Sequence, residues 1–498
     1  MKIVLASSEA VPFSKTGGLA DVASALPKSL SAAGHEVVLI VPYYSQVYPK
    51  DLEHNLPLEP TGRTLQIQVG KKRLAGNVLK TQLPGSNVTV LMIDQPDYFD
   101  RAGLYQEAGI DFNDNCERFV FFSRAVLETI RLFDYQPQIV HANDWQTGLI
   151  PVLLQAEYRK KPGFERTVSI FTIHNMAYQG QFWHWDMLLT GLNWKYFNWR
   201  QMEYFGDLNL LKTGIVFADV ITTVSPTYAE EIQTEEFGCG LEGVLANRSE
   251  SLFGILNGVD VEQWHPATDH ALIRNYAADD PAEGKAACKL HLQKLSGLPI
   301  RTDVPLFGMI SRMSEQKGVD LILKCAEEML AEDVQLCFLG TGDSKYEQAL
   351  ELLAKQHPQN VSVTIGFDET LAHRIEAGSD AYLMPSRYEP CGLNQMYSLI
   401  YGTVPLVRVV GGLADSVVDA TPENLASGTA NGFCFEDYGK KAFVAAFRRA
   451  VRMFSQRNNW SQLIRTGMNQ DWSWRKSATE YERVYEFASA KRKETQLV

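Results

Sequence analysis

Short runs rich in valine and isoleucine recur along the first half of this chain, and stretches with helical periodicity separate them. The clearest helical stretch is 114–133, where the apolar side chains share one face. Six runs are predicted strands, at 3–6, 37–41, 88–93, 138–141, 168–173 and 220–225. Strands that alternate with helices are typical of βαβ units, so we expect a parallel sheet.

The alternation pauses at 257–304, a polar stretch rich in proline and glycine, and then starts again. Five more predicted strands follow, at 305–311, 334–340, 361–366, 380–385 and 404–410. We therefore expect an α/β protein with two doubly wound domains joined near 252–260, whose strand ends face one ligand-binding cleft. The last segment, from 472 onward, has the pattern of an amphipathic helix.

Composition excludes several classes of protein. The formal net charge of −12 argues against a nucleic-acid partner, and no apolar run is long enough for a membrane span. The first residues lack the pattern of a secretory signal peptide. The seven cysteines are scattered and never spaced C-x-x-C, which predicts neither disulfides nor a zinc site. We expect a soluble cytoplasmic protein.

The pentapeptide GGLAD occurs twice, at 17–21 and at 411–415, each time where a turn into a helix is expected. Glycines at a helix N-terminus leave bare N–H groups that favour an anion. Lys15 stands two residues before the first copy, although the chain lacks the phosphate-binding motif G-x-x-x-x-G-K-[ST]. The alternative interpretation is that each glycine pair only permits a tight turn.

Charged residues also follow the predicted strands of the second half. Arg312 and Lys317, in ISRMSEQKG, suit a diphosphate because Arg offers a planar fork and Lys a compact charge. Glu389 follows a predicted strand, and Gly392 is expected to open a helix there. A carboxylate in that place suits a sugar hydroxyl or a developing positive charge. A solvated loop pair and a helix-terminal charge are the alternatives.

Polar residues follow two strands of the first half, in VHANDWQTG and FTIHNMAYQGQF. His174 offers a donor and an acceptor for sugar hydroxyls, although a structural role is equally open, and His141 can be packed under the sheet. FGCGLEG matches G-x-G-x-x-G, but an acidic, helix-like stretch precedes it, so we reject a dinucleotide site. No Asp-x-Asp pair is present, so we expect no metal at the diphosphate.

Seven motifs of the chain together resemble those of bacterial glycogen synthase and plant starch synthase, and the likeness runs from residue 1 to about 480. The motifs are KTGGLADV, HANDWQTG, FTIHNMAYQGQF, FGCGLEG, ILNGVD, SRMSEQKG and EPCGLNQMYSLIYGTVPLVRVVGGLADSV. The resemblance implies two Rossmann-like domains in the GT-B arrangement, 1–255 on the acceptor side and 256–472 on the donor side. It also implies that the helix 473–498 crosses back to the first domain.

The resemblance further implies an activity. Glucose would pass from ADP-glucose to the non-reducing end of an α-1,4-glucan, glycogen or starch, with retained configuration and without metal or cofactor. UDP-glucose as donor is the alternative within this activity. Outside it, a sugar-nucleotide epimerase and a non-catalytic glucan-binding homologue are rival hypotheses. Such a binding homologue would be expected to lose Glu389, Lys15 or Arg312, and all three are present.

Site residues are carried over from the same resemblance. Glu389 is the candidate catalytic carboxylate, His174 is expected to hold the donor glucose, and Asp144 is expected near the acceptor. The expected donor-binding residues are Lys15, Gly18, Asn257, Arg312, Lys317, Cys391, Gly392 and Leu393, with the second GGLAD completing the pocket. The chain departs from related transferases at Tyr397, where many have a second glutamate. Asn394 leaves the choice between glycogen and starch open.

Overall fold

The computed structural model describes residues 1–50, 52 and 56–497, which form two compact units. The first unit is Met1–Asn257 together with the chain from Trp474 onward, and the second is Gly258–Ser473. The boundaries expected from the sequence, after 255 and after 472, lie within two residues of these divisions.

A nine-stranded sheet forms the centre of the first unit, in the order β14-β13-β9-β8-β1-β2-β5-β4-β3. The strands of this unit, including five in small sheets outside the large one, are β1 (Lys2–Ala6), β2 (Glu36–Pro42), β3 (Glu59–Val69), β4 (Lys72–Gln82), β5 (Thr89–Asp94), β6 (Gln106–Glu107), β7 (Ile110–Asp111), β8 (Ile139–Asn143), β9 (Val168–Ile173), β10 (Gln181–Phe182), β11 (Glu203–Tyr204), β12 (Asp207–Asn209), β13 (Val220–Thr223) and β14 (Leu252–Gly254). From β14 across to β5 all pairings are parallel. The six predicted strands and the predicted helix, which spans Asn115–Leu132, are confirmed.

Besides the short edge strand β14, the sequence analysis missed the hairpin of β3 and β4 in this sheet. Its strands are antiparallel, and only alternate residues of β3, such as Leu65, Ile67 and Val69, are buried. Gly76 of β4 comes so close to the helix 115–132 that a Cβ would stand 3.0 Å from the Phe121 ring. In β3, exposed residues alternate with the buried ones, so this strand lacks the continuous apolar run that identifies β1 and β9.

The C-terminal helix Trp474–Leu497 packs within the first unit, so its predicted return to that domain is confirmed. Tyr481 and Tyr485 are fully buried against the sheet, and the Ser477 hydroxyl donates to the Leu256 carbonyl over 2.6 Å. The other helices of the unit are Gly18–Ala32, Pro96–Phe99, Asn115–Leu132, Leu149–Leu153, Met187–Thr190, Leu210–Phe217, Pro226–Glu231 and Glu242–Ala246. Among the described residues, no helix has the length and apolar character that crossing a membrane requires.

The second unit has a six-stranded parallel sheet in the order β17-β16-β15-β18-β19-β20. Its strands are β15 (Leu306–Ile310), β16 (Gln335–Gly340), β17 (Val361–Ile365), β18 (Ala381–Met384), β19 (Val404–Arg408) and β20 (Phe433–Phe435). Its helices are Ala282–Leu295, Val319–Lys324, Ala326–Leu330, Ser344–Gln356, Glu369–Gly378, Asn394–Ile400, Gly411–Ser416, Pro422–Ser427, Lys440–Phe454 and Arg457–Met468. The prediction of an α/β fold with two doubly wound domains is confirmed, and the first sheet also contains the antiparallel hairpin of β3 and β4.

The segment 257–304, in which the sequence pattern pauses, contains the helix Ala282–Leu295, which the sequence analysis missed. Two of the buried residues of this helix are lysines. Lys289 pairs with Asp380 over 2.6 Å, and Lys285 donates to the Ala377 carbonyl over 3.1 Å. Buried lysines with such partners break the apolar periodicity on which the sequence analysis relied.

Candidate functional site

In the second unit, the strand order reverses between β15 and β18, and ligands of open α/β sheets bind at such a point. The loops after β15, β18 and β19 meet there. A Cβ on Gly318, after β15, would stand 2.1 Å from the carbonyl oxygen of Pro385, after β18. Gly411, after β19, has a φ of +45°, and a Cβ on it would lie 2.0 Å from the Glu389 carbonyl oxygen. Glycine is therefore required where these loops cross.

Glu389 and Lys317 form an ion pair at this place. The Lys317 Nζ donates to the Glu389 Oε2 over 2.6 Å, and the Ser386 hydroxyl donates to the same oxygen over 3.0 Å. The Glu389 side chain is only 7% exposed, and that of Lys317 is 20% exposed. The pairing orients the carboxylate in a site that a ligand can still reach from the lysine side.

Arg312 lies in the same loop as Lys317 but makes a different contact. Its side chain is exposed, and its Nη2 donates to the Gln316 Oε1 over 2.9 Å. The structure therefore brings Lys317 and Glu389 together, whereas Arg312 is held at the surface of the loop after β15.

The helix after Glu389 begins later than the sequence analysis expected. It starts at Asn394 with Leu393 as N-cap, so the prediction that Gly392 opens it is wrong. Gly392 instead has a φ of +71°, a left-handed turn that glycine adopts without strain. The Asn394 side chain donates to the Ile310 carbonyl over 2.9 Å and to the Tyr382 hydroxyl over 2.6 Å. It thereby links the end of β15 to a side chain of β18, a role that the sequence analysis did not assign.

The two copies of GGLAD differ in what surrounds their glycines. A Cβ on Gly412 would stand 2.1 Å from the carbonyl oxygen of buried Cys391, so packing requires glycine in the second copy. In the first copy, Gly17 is the N-cap and Gly18 the first residue of a 15-residue helix. Both are exposed, and a Cβ on either would meet no protein atom within 4 Å. Packing against the described residues therefore does not explain the first pair.

In the first unit, the strand order reverses between β1 and β8, and Asp144 directly follows β8. Its Oδ1 accepts the His174 backbone N–H over 2.7 Å, and Asp144 has a φ of +56°. Burial raises the pKa of the Asp144 carboxyl to about 7, although the N–H groups of His174 and Asn175 oppose the rise. The structure thus joins Asp144 and His174, which the sequence places 30 residues apart.

His174 is neutral, because burial lowers its pKa to about 3. Its Nε2 lies 3.0 Å from the Asn143 Oδ1, while the Asn143 Nδ2 donates to the Ala6 carbonyl over 3.1 Å. Since that second bond fixes the orientation of the amide, the Nε2 must carry the proton and donate it. The Nδ1 is then unprotonated and can accept a hydrogen bond from a ligand hydroxyl. The sequence analysis missed Asn143.

The loop after β1 is organised by Glu9, which the sequence analysis also missed. Both the backbone N–H and the hydroxyl of Thr16 donate to this buried carboxylate, the hydroxyl over 3.0 Å. Burial raises the pKa of Glu9 to about 7, opposed by the hydrogen bonds from Thr16 and Gly17. Lys15 is exposed, and its Nζ pairs with Asp21 over 2.7 Å. Because Glu9 follows the first predicted strand, its place in the sequence could have identified it as a candidate site residue.

His141 and Asn257 complete the residues that the sequence analysis singled out. His141 is fully buried between the Tyr485 hydroxyl, at 2.8 Å, and the Thr172 hydroxyl, at 2.5 Å. It is therefore packed inside the first unit, as the sequence analysis allowed. Asn257 is buried, and its Oδ1 has no hydrogen-bond partner among the described residues. Within residues 1–50, 52 and 56–497, no group of three or more His, Cys, Asp or Glu is arranged to hold a metal ion.

The chain matches two protein families in succession. Residues 2–247 match the starch synthase catalytic domain, and residues 294–466 match the glycosyl transferases group 1. It is 46% identical to a glycogen synthase of Anaeromyxobacter dehalogenans, over 97% of this chain and 98% of that protein. It is likewise 46% identical to a glycogen synthase of Rhodopirellula baltica, over 97% of both chains.

A solved structure gives the same result. The catalytic domain of starch synthase IV from Arabidopsis thaliana, bound to ADP and acarbose, superposes with a TM-score of 0.89 at 33% identity. The match covers 98% of this chain and 99% of that one. Sucrose-phosphate synthase from Thermosynechococcus elongatus, with a TM-score of 0.56 and 14% identity, shares the fold alone.

Proposed function

Because the chain belongs to the family of glycogen and starch synthases, and is thus a glucosyltransferase that elongates an α-glucan, we propose that its donor is ADP-glucose. Glucose passes to the non-reducing end of an α-1,4-glucan with retention of configuration. The observation that carries the proposal is the Lys317–Glu389 pair at the point where the strand order of the second unit reverses. The starch synthase IV structure, which holds ADP and acarbose, supports both the nucleotide and the glucan.

In this proposal the leaving diphosphate is met by side chains of the protein rather than by a metal. Arg312 binds it through a planar fork and Lys317 through a compact ammonium. Both belong to the loop after β15, which ends where nucleotides bind in such sheets. Negative charge grows on the diphosphate as the glycosidic bond breaks, so these contacts strengthen toward the transition state and lower the barrier. Lys15 and Gly18 of the first unit are proposed to bind the nucleotide sugar.

Glu389 is the proposed catalytic carboxylate. Glycosyl transfer passes through a sugar ring with oxocarbenium character, and a carboxylate near that ring stabilises the positive charge. The support is its position, since Glu389 is held by Lys317 and Ser386 and its backbone is pressed against Gly411. Lys317 then links the two centres of charge, because it can pair with the carboxylate and with the leaving phosphate. Cys391, Gly392 and Leu393 form the adjoining wall.

His174 and Asp144 are proposed to serve the sugars. The unprotonated Nδ1 of the neutral His174 accepts a hydrogen bond from a hydroxyl of the donor glucose, while the His174 Nε2 is held by the Asn143 side chain. Asp144, beside it, is proposed to lie near the acceptor, where its raised pKa leaves it partly protonated at neutral pH. The amide oxygen of Asn257, which lacks a partner among the described residues, is proposed to accept from the donor.

A transfer assay with each donor in turn tests the proposal. Glycogen is incubated with glucose-labelled ADP-glucose or UDP-glucose, and label is counted in the precipitated polymer. We expect incorporation from ADP-glucose and much less from UDP-glucose. Equal or greater incorporation from UDP-glucose would overturn the assignment of the donor. Incorporation from neither would overturn the proposed function.

A further inference from the structure

The four consecutive carbonyl groups of 389–392 accept hydrogen bonds from the second GGLAD and from the side chain of Gln395. The backbone N–H of Gly412 donates to the first two of these carbonyls, both over 3.2 Å. The Gln395 Nε2 donates to the last two, both over 3.1 Å. Because this stretch carries Glu389, the bonds to its carbonyls help to determine where the candidate catalytic carboxylate lies.

The hydrogen-bond partners fix the orientation of the Gln395 amide. Two of them are carbonyl oxygens, which only accept hydrogen bonds, so the nitrogen of the amide must face them. The same Nε2 lies 3.2 Å from the Ser416 Oγ, and the Ser416 hydroxyl in turn donates to the Gly412 carbonyl over 2.6 Å. Gln395 thereby connects the loop after Glu389 to the helix Gly411–Ser416, which contains the second GGLAD.

The oxygen of the same amide has a different environment. Gln395 is fully buried, and its Oε1 has no hydrogen-bond partner among the described residues. A Cβ on Gly392 would stand 2.4 Å from this oxygen, so the amide lies directly against the loop. A buried acceptor without a partner costs stability, so stability alone does not explain a glutamine here. A methionine of similar length would fill the space without that cost.

We propose that Gln395 is a positioning residue for glucose transfer, which fixes Glu389 and the adjoining wall 391–393 against the second GGLAD. This inference rests on the proposed function, in which Glu389 stabilises the sugar ring of the donor. Misplacement of a reacting group by about 1 Å can cost about a hundredfold in rate, so bonds that hold the backbone beside Glu389 affect catalysis. Gln395 acts through the loop and is assigned no contact with the substrate.

Substitutions at the two ends of the Gln395–Ser416 contact test the proposal. Gln395→Met retains the length of the side chain but removes its hydrogen-bond donors. We expect kcat to fall about tenfold or more, with a change in the donor KM of at most about threefold, because the loop after β15 still binds the diphosphate. Ser416→Ala should lower kcat by a smaller factor, and Ser416→Thr, which retains the hydroxyl, should restore it. Rates are measured with glycogen and the donor that the wild type uses.

Gln293→Met is the matched control for the loss of a buried amide. Gln293 is also fully buried in the second unit, and its Nε2 donates to the Arg301 carbonyl over 2.9 Å, outside the loop after Glu389. This variant should lower the thermal stability but leave kcat unchanged. A loss of kcat in Gln293→Met equal to that in Gln395→Met would overturn the proposal. A kcat near that of the wild type in Gln395→Met would overturn it too.

Hydrogen–deuterium exchange of the protein without any ligand separates this proposal from the proposed function. Peptides that cover 388–395 and 409–417 should exchange faster in Gln395→Met than in the wild type, and the same peptides should be unchanged in Gln293→Met. Unchanged exchange of both peptides in Gln395→Met would show that Gln395 does not fix the loop. If the wild type transferred glucose from neither ADP-glucose nor UDP-glucose, the proposed function would fail. Exchange would still decide whether Gln395 holds the loop, because it is measured without a substrate.

Discussion

The ion pair between Lys317 and Glu389 permits a prediction with a built-in test of mechanism. Glu389→Gln retains the size of the side chain and an oxygen for the Ser386 hydroxyl, but it removes the negative charge. We expect kcat to fall at least about a hundredfold, roughly 3 kcal/mol of barrier, with little change in donor affinity. Lys317→Met removes the cation at 2.6 Å from the Glu389 carboxylate, and we expect a loss of about 2–4 kcal/mol in kcat/KM.

The double variant should lose far less than the sum of the two. Each charge acts partly through the other, since Lys317 both orients Glu389 and meets the diphosphate, so their effects belong to one unit. Lys317→Met should also destabilise the second unit by about 1–3 kcal/mol, because it leaves a carboxylate that is only 7% exposed without its cation. Glu389→Gln, which retains a hydrogen-bonding side chain, should destabilise it less.

The assay is the initial rate of glucose transfer from ADP-glucose to glycogen, measured over a range of donor concentrations for all four proteins. Thermal unfolding of the same samples separates stability from catalysis. Lys324→Met, at an exposed lysine in the helix after the same loop, is the control and should leave the rate unchanged. Strict additivity in the double variant would show that the two side chains act at separate steps. A Glu389→Gln enzyme with a near-normal rate would show that the carboxylate does not stabilise the transition state.

Three further predictions concern single residues. Arg312→Ala should lower kcat by a factor equivalent to about 2–4 kcal/mol of activation free energy, and it should raise the donor KM by a smaller factor. EDTA should leave the wild type active. If EDTA inhibited the enzyme and Mg²⁺ or Mn²⁺ reversed the inhibition, the charge of the diphosphate would instead be assigned to a metal. The pKa of Glu9 is raised from 4.5 to about 7 by burial, so the folded state binds the extra proton and loses stability as the pH rises from about 4.5 through 7. Between pH 5 and pH 8 this group should cost the wild type on the order of 3 kcal/mol of unfolding free energy, and Glu9→Gln should not show that loss. If the unfolding free energies of the variant and of the wild type changed equally between the two pH values, the raised pKa of Glu9 would be contradicted. Gly412→Ala should disrupt the loop that packs against Cys391 and abolish glucose transfer, because the new Cβ would stand 2.1 Å from the Cys391 carbonyl oxygen. Gly18→Ala is the control and should fold as the wild type does. Near-normal activity of Gly412→Ala would refute the close approach of Gly412 to Cys391.

The sequence by itself determined the elements whose pattern depends on burial alone. Strands such as β1 and β9 are buried along nearly their whole length, so they are continuous apolar runs that need no knowledge of their neighbours. The place of Glu389 was equally predictable, because residues after parallel strands gather at one edge of the sheet. The family motifs then supplied its expected role.

Elements whose burial depends on distant partners were beyond the sequence. Lys289 is a core residue only because Asp380, 91 positions away, meets its charge, so the helix that carries it lacked an apolar stripe. The strand β3 was missed for a similar reason, since one of its faces lies against a helix and the other against solvent.

The tertiary structure also decided what each candidate residue does. Lys317 and Glu389 are 72 residues apart in sequence, and only the neighbouring positions of β15 and β18 place them 2.6 Å from each other. The two GGLAD copies have the same five letters, yet the second is crowded by backbone and the first is open to solvent. Local sequence determines which backbone conformations a segment can adopt. The contacts that surround it, and thus its chemistry, are set by packing between segments far apart in the chain.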